Sequence, residues 1–108
     1  MSYNVKTIAE FERSFKKLFK KYPFLKSDLQ RLIQEIESNP MSGTSLGNDF
    51  YKIRMAIASK GKGKSGSGRV ITCVKVVKET VYLAAIYDKS EKQAISDTEL
   101  KLLAKQIS

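Results

Sequence analysis

Apolar residues recur along this chain with two different periods. Ile8, Phe11, Phe15, Leu18, Phe19 and Tyr22 are spaced by three and four residues, which puts them on one face of a helix. Arg13, Lys16, Lys17 and Lys20 fall on the opposite face, and basic residues late in a helix complement its dipole. Thr7-Ile8-Ala9-Glu10 has the form of a capping box, with the Thr7 hydroxyl accepting a backbone N–H and Glu10 reaching back. Pro23 ends this helix. Ser27-Asp28-Leu29-Gln30 opens a second one, in which Leu29, Leu32, Ile33 and Ile36 supply the apolar stripe before Asn39-Pro40 stops it. The short connection predicts an antiparallel helical hairpin. Met41–Asn48, with two glycines and several small polar residues, reads as a loop.

From Phe50 the period falls to two. Tyr51, Ile53, Met55 and Ile57 share one face, and Phe50, Lys52 and Arg54 the other. Ser59–Gly68 holds four glycines, three serines and three lysines and predicts an exposed, flexible loop. Arg69–Val77 is β-branched, Lys78-Glu79 suits a hairpin turn, and Thr80–Tyr87 forms a further strand. Ser96-Asp97-Thr98-Glu99 is another capping box, opening a helix with Leu100, Leu103, Ala104 and Ile107 on one face. With a short strand around Val5, the predicted order is (β)ααβββα. The expected class is α+β, an antiparallel meander covered by helices on one side, and 108 residues fit one domain spanning 1–108.

Composition narrows the chemistry. With 42% hydrophobic residues the chain has enough apolar material to form a core, which excludes wholesale disorder. Cys73 is the only cysteine and sits in an apolar run, so no internal disulfide forms; it reads as a small core residue rather than a nucleophile. No histidine is present, which removes the commonest general base and metal ligand together, and neither a metal nor another cofactor is expected. Residues 1–10 lack the form of a signal peptide, and the apolar run Val81–Tyr87 is too short to span a bilayer. A cytoplasmic protein with no membrane partner is the expectation.

The location of the net charge of +9 is more telling than its size. Lys52, Arg54, Lys60, Lys62, Lys64, Arg69, Lys75 and Lys78 all lie between Phe50 and Lys78, with no acidic residue among them. The other twelve basic residues are nearly balanced by eleven acidic ones, so +8 of the +9 belongs to one strand–loop–strand segment. A field of one sign is what polyanion binding needs, and RNA is the expected polyanion. One motif in this segment is a decoy. Ala58-Ser59-Lys60-Gly61-Lys62-Gly63-Lys64-Ser65 fits a permissive phosphate-loop pattern, but such a loop must run into a helix N-terminus, and a strand follows here.

Lys52 and Arg54 put two cations on one strand face beside Phe50, and Arg69 and Lys75 continue the pattern on the next strand. Edge-strand protection against aggregation is the plainer account of such a pair, and phosphate clamping the functional one. Lys60, Lys62 and Lys64 read as mobile phosphate contacts without sequence preference, against the alternative of a merely solvated loop. Tyr82 and Tyr87 have faces on which bases stack, and equally suit the core or rim of a sheet. Asp88-Lys89-Ser90-Glu91-Lys92 mixes signs and reads as a solvated connection.

Lys52-Ile53-Arg54, a Lys/Gly/Ser loop into Gly68-Arg69-Val70-Ile71, then Val81–Tyr87, Lys89–Lys92 and a short terminal helix, all after a helical hairpin, resemble the RelE/ParE toxin superfamily. The likeness is greatest to its HigB-type branch and spans nearly the whole chain. It implies a RelE-like fold and the toxin of a type II toxin–antitoxin pair. RelE- and HigB-like members cleave mRNA in the ribosomal A site without metal, the ribose 2′-hydroxyl attacking the adjacent phosphate; ParE-like members inhibit DNA gyrase instead. A non-catalytic RNA- or ribosome-binding module is the further alternative. The resemblance also implies a cognate antitoxin, commonly one with a helix-turn-helix DNA-binding domain.

Carried over by residue, Arg54 and Arg69 match the family's basic site positions, with Lys52 and Lys89 as further matches. The implied reaction needs positive charge on the phosphorane, which planar guanidinium groups supply. Proton transfer then falls to Lys52, to Lys89 or to Tyr87, since clustered cations disfavour the charged form of a lysine. Lys60, Lys62, Lys64, Lys75 and Lys92 are the expected RNA contacts around that site. The sequence departs from the RelE pattern after the last strand: Tyr87–Lys92 lacks the arginine that branch carries, and no tyrosine occurs near the C-terminus.

Overall fold

A computed structural model describes residues 2–60 and 67–107. Its elements run β1 (Asn4–Thr7), α1 (Ala9–Lys21), α2 (Leu25–Ser38), β2 (Thr44–Gly47), β3 (Phe50–Met55), a 3-10 turn (Ala58–Lys60), β4 (Gly68–Lys75), β5 (Thr80–Asp88) and α3 (Asp97–Ile107). The sheet order is β1-β5-β4-β3-β2. It is antiparallel except at one edge, where β1 pairs in parallel with β5 from Asn4 opposite Thr80 to Thr7 opposite Leu83.

β2 occupies part of the expected loop, pairing with β3 from Thr44 opposite Lys52 to Gly47 opposite Phe50. Its Gly- and Ser-rich sequence carries no strand signal; the pairing partner is the otherwise open edge of β3, which only folding supplies. Gly43 leads into it with φ of +96°, and a Cβ there would meet the Lys52 carbonyl oxygen at 2.4 Å. That position requires glycine.

The central strand β4 is buried from Gly68 to Val74, so both faces of the sheet are covered rather than one. The helical hairpin takes the face of Ile53, Met55, Val70, Val81, Leu83 and Ile86, all part of one core with Phe11, Leu18, Leu25, Leu32 and Ile36. A bulge makes this possible. Ile71 pairs with Ala85 but Thr72 with Leu83, so Ala84 is an extra residue. It switches the side-chain alternation of β5 and lets Val81, Leu83 and Ile86 all point the same way. The helix α3 lies beside the end of β5, its Leu103 lining a cleft with Ala85, Ile86 and Tyr87 and with Glu10 and Ser14 of α1.

The two capping boxes fare differently. At α3, the Ser96 hydroxyl accepts the Glu99 N–H at 3.1 Å and the Glu99 carboxylate accepts the Ser96 N–H at 3.0 Å. At α1 the box does not form: Ile8 takes the cap position with no side-chain bond. Thr7 is the last residue of β1, one position too early, and its hydroxyl donates to Glu12 while Glu10 pairs with Arg13. The helix α2 begins at Leu25, ahead of the expected start at Ser27, because burying Leu25 draws its first turn onto the core.

Candidate functional site: a cationic cleft across the sheet

Register brings the arginines together. Arg54 on β3 and Arg69 on β4 are directly opposite each other, and Lys52 lies two residues along the same face of β3. Lys89 follows the end of β5. These four cations line one cleft of about 280 Å³ with Thr44 and Gln93. Arg69 is only 7% exposed. Its Nη1 donates to the Ser67 hydroxyl at 2.7 Å and to the Gly68 carbonyl at 3.1 Å, which fixes the guanidinium at the wall of the cleft.

Like charges directly opposite on neighbouring strands destabilise a sheet. Among the described residues no carboxylate pairs with Lys52, Arg54, Arg69 or Lys89, whereas lysines elsewhere do find acids. An arrangement of this kind gains from an anion laid across it, and a phosphate accepts several such donors at once.

The expected RNA contacts are placed elsewhere. The Lys60 ammonium bonds to the Asp88 carboxylate at 2.9 and 3.0 Å instead of reaching into solvent, since it leaves the 3-10 turn beside the end of β5. Lys75 lies at the far end of β4 from Arg69 and pairs with Asp49 at 3.6 Å. Lys92 pairs with Glu99 and lies 5.6 Å from the centre of the Tyr87 ring. Lys62 and Lys64 fall outside the described residues. Among the described residues, three cations of the contiguous basic segment line the cleft, Lys52, Arg54 and Arg69, and Lys89 joins them from beyond it.

The aromatic candidates are also set apart. Phe50, beside the cation pair in sequence, is 2% exposed and belongs to the core. Tyr82 is half-buried opposite Cys73, away from the arginines. Tyr87 lies opposite Arg69 across the ladder, but it lines the neighbouring cleft beside α3, and its hydroxyl is buried with no hydrogen-bond partner among the described residues. Burial pushes the Tyr87 phenol above its ordinary pKa, with the Arg69 charge pulling the other way.

Asp88 is the residue that sequence reasoning underrated most. Only 1% exposed, it is the hub of the supposedly solvated connection. Its carboxylate accepts from the Tyr22 hydroxyl at 2.6 Å, the Lys60 ammonium, the Ser90 backbone N–H at 3.0 Å and the Ser90 hydroxyl at 2.8 Å. Burial alone would raise its pKa, but the Tyr22, Lys60 and Ser90 bonds together hold it well below the usual carboxylate range. This clamp shapes the turn that carries Lys89, whose N–H donates to the Ser67 carbonyl at 3.3 Å. Ser67 thus supports Arg69 and Lys89 at once. The one hint in the sequence is an aspartate directly ending a long apolar strand. Thr44 and Gln93 carried no signal at all.

Residues 11–108 match the family model described as the RelE toxin of the RelE / RelB toxin–antitoxin system. The chain belongs to the RelE toxin family. It is therefore the toxin component of a toxin–antitoxin system. Solved structures agree on the fold. A double-mutant form of E. coli RelE in the free state has 19% identity and a TM-score of 0.64, with all of both chains covered. The intact E. coli RelBE toxin–antitoxin complex matches at 19% identity and a TM-score of 0.60, covering 79% of this toxin and 94% of the other chain. Isolated E. coli RelE gives 19% identity and a TM-score of 0.57, with 96% and 98% covered. Among the described residues, no helix of the toxin is long and apolar enough to cross a membrane.

Proposed function

We propose that this toxin is an endoribonuclease that cuts mRNA in the ribosomal A site and so stops translation. The observation that carries this reading is the cleft of four cations without a carboxylate partner among the described residues. In-line attack of a 2′-hydroxyl on the adjacent phosphate builds negative charge on the non-bridging oxygens. Arg54 and Arg69, opposite each other, are suited to bind those oxygens in a bidentate manner. Lys52 and Lys89 flank them and are the side chains proposed to move protons, from the attacking hydroxyl and to the leaving 5′-oxygen. Tyr87 stands outside this proposal because its hydroxyl is buried and its side chain lines the neighbouring cleft. A cognate antitoxin, proposed to carry a helix-turn-helix DNA-binding domain, would hold the toxin inactive in the cytoplasm.

The test is a cell-free bacterial translation reaction with mRNA 5′ ends mapped by primer extension. New ends on translated messages only, with cutting reduced at least a hundredfold in Arg69→Ala, are the expected outcome; losing one preorganised oxyanion donor costs about 10²–10³ in rate. Intact mRNA with translation unaffected would overturn the reading and point to gyrase. A second reading has one observation in its favour: the cleft holds no carboxylate or histidine to act as an ordinary general base. Intact mRNA with translation blocked would therefore favour a non-catalytic ribosome binder.

A further inference from the structure

The cleft cations can bind phosphate and can donate to acceptors on a base edge, such as guanine O6 and N7, but they cannot read the donors of a base. A charged lysine or an arginine offers hydrogen-bond donors and no acceptor. Recognising an adenine or cytosine amino group, or the ring N–H of guanine or uracil, requires an acceptor on the protein. Of the six described side chains lining the cleft, Thr44 and Gln93 are the neutral ones, and the hydroxyl of one and the amide oxygen of the other can accept.

Their positions add a second constraint. Thr44 is directly opposite Lys52, so it shares the face of the cations at the β2 edge of the sheet. Gln93 lies four residues past Lys89, beyond the end of β5. Thr44 thus enters the cleft from the β2 edge and Gln93 from the chain that follows Lys89.

We propose that Thr44 and Gln93 are the specificity-determining residues of the cleft, each reading the base of a different nucleotide on either side of the phosphate held by Arg54 and Arg69. The substrate class is single-stranded RNA, and the inference rests on the endoribonuclease reading above.

The experiment is sequencing of all mRNA 5′ ends generated in the cell-free translation reaction by the wild-type toxin, Thr44→Val and Gln93→Leu. Both replacements keep approximate shape and remove the acceptor. The wild type is expected to show base preferences at two positions flanking the cut. Thr44→Val is expected to weaken one of them and Gln93→Leu the other, each by about fivefold or more, the lower end of what a good base contact contributes. Wild-type base frequencies retained in both variants would overturn the proposal while leaving the nuclease standing. So would loss of all cutting in both, since that assigns the residues to chemistry or folding and not to reading. An absence of new ends with the wild type itself would instead overturn the nuclease reading, and this inference with it.

Discussion

At the residue scale, the site depends on a carboxylate that does not touch it. Asp88 ties Tyr22 at the end of α1, Lys60 in the 3-10 turn and Ser90 to the tip of β5. Hydrogen bonds to a charged group contribute roughly 1.5–3 kcal/mol each, so loss of the charge in Asp88→Asn is expected to cost about 2 kcal/mol, read as a lower urea midpoint. The pH dependence has a definite sign. Because the folded carboxyl titrates below its ordinary value, the folded state binds fewer protons than the unfolded chain in acid. Its contribution is fully present above the unfolded pKa of about 3.9 and is lost as pH falls further through the folded value. Urea midpoints of the wild type should thus decline below about pH 4 relative to those of Asp88→Asn, which lacks this group. Parallel profiles for the two proteins would show that Asp88 is not the linked carboxyl.

At the scale of elements, two similar tetrapeptides separate local from tertiary control. Ser96–Glu99 makes its box because Ser96 lies directly ahead of α3 and outside every strand ladder. Thr7–Glu10 fails because β1 claims Thr7 for its ladder with β5. Ser96→Ala is accordingly expected to cost about 1 kcal/mol, the usual value for a lost cap, and Thr7→Ala distinctly less. Denaturant midpoints of the two variants decide this, and equal losses would contradict the assignment. Both helices of the hairpin were legible from their apolar spacing, as were β3, β4 and β5. The strand β2 was not, since Thr44–Gly47 has neither β-branched runs nor alternation and exists by pairing with β3.

At the scale of the whole molecule, charge is sorted rather than spread. Lys60, Lys75 and Lys92 are held by Asp88, Asp49 and Glu99, while the cleft cations have no acid partner among the described residues. Binding of a labelled single-stranded RNA at varied salt measures the consequence. Each phosphate contact to a single strand contributes about 0.7 to the slope of log K against log salt. Arg54→Ala should lower that slope by about this amount, and Lys75→Ala by much less. Equal changes would mean that the general field of the protein, and not the cleft, holds the strand.

Legible along the chain were the helical hairpin, the meander, the basic character and the four cations of the cleft, Lys52, Arg54, Arg69 and Lys89. Periodicity encodes which face of an element is apolar, and the family likeness carried the rest. Tertiary structure alone decided which charges remain without an acid. Lys60 looked as free as Lys52 in sequence, and its pairing with Asp88 spans 28 residues. Strand register alone put Arg54 opposite Arg69, and the bulge at Ala84 alone aligned Val81, Leu83 and Ile86. Thr44 and Gln93 became part of the cleft through the β2 edge and the turn after β5. The reason is common to all of these: a side chain's surroundings are set by partners distant in the chain, and local sequence does not specify them.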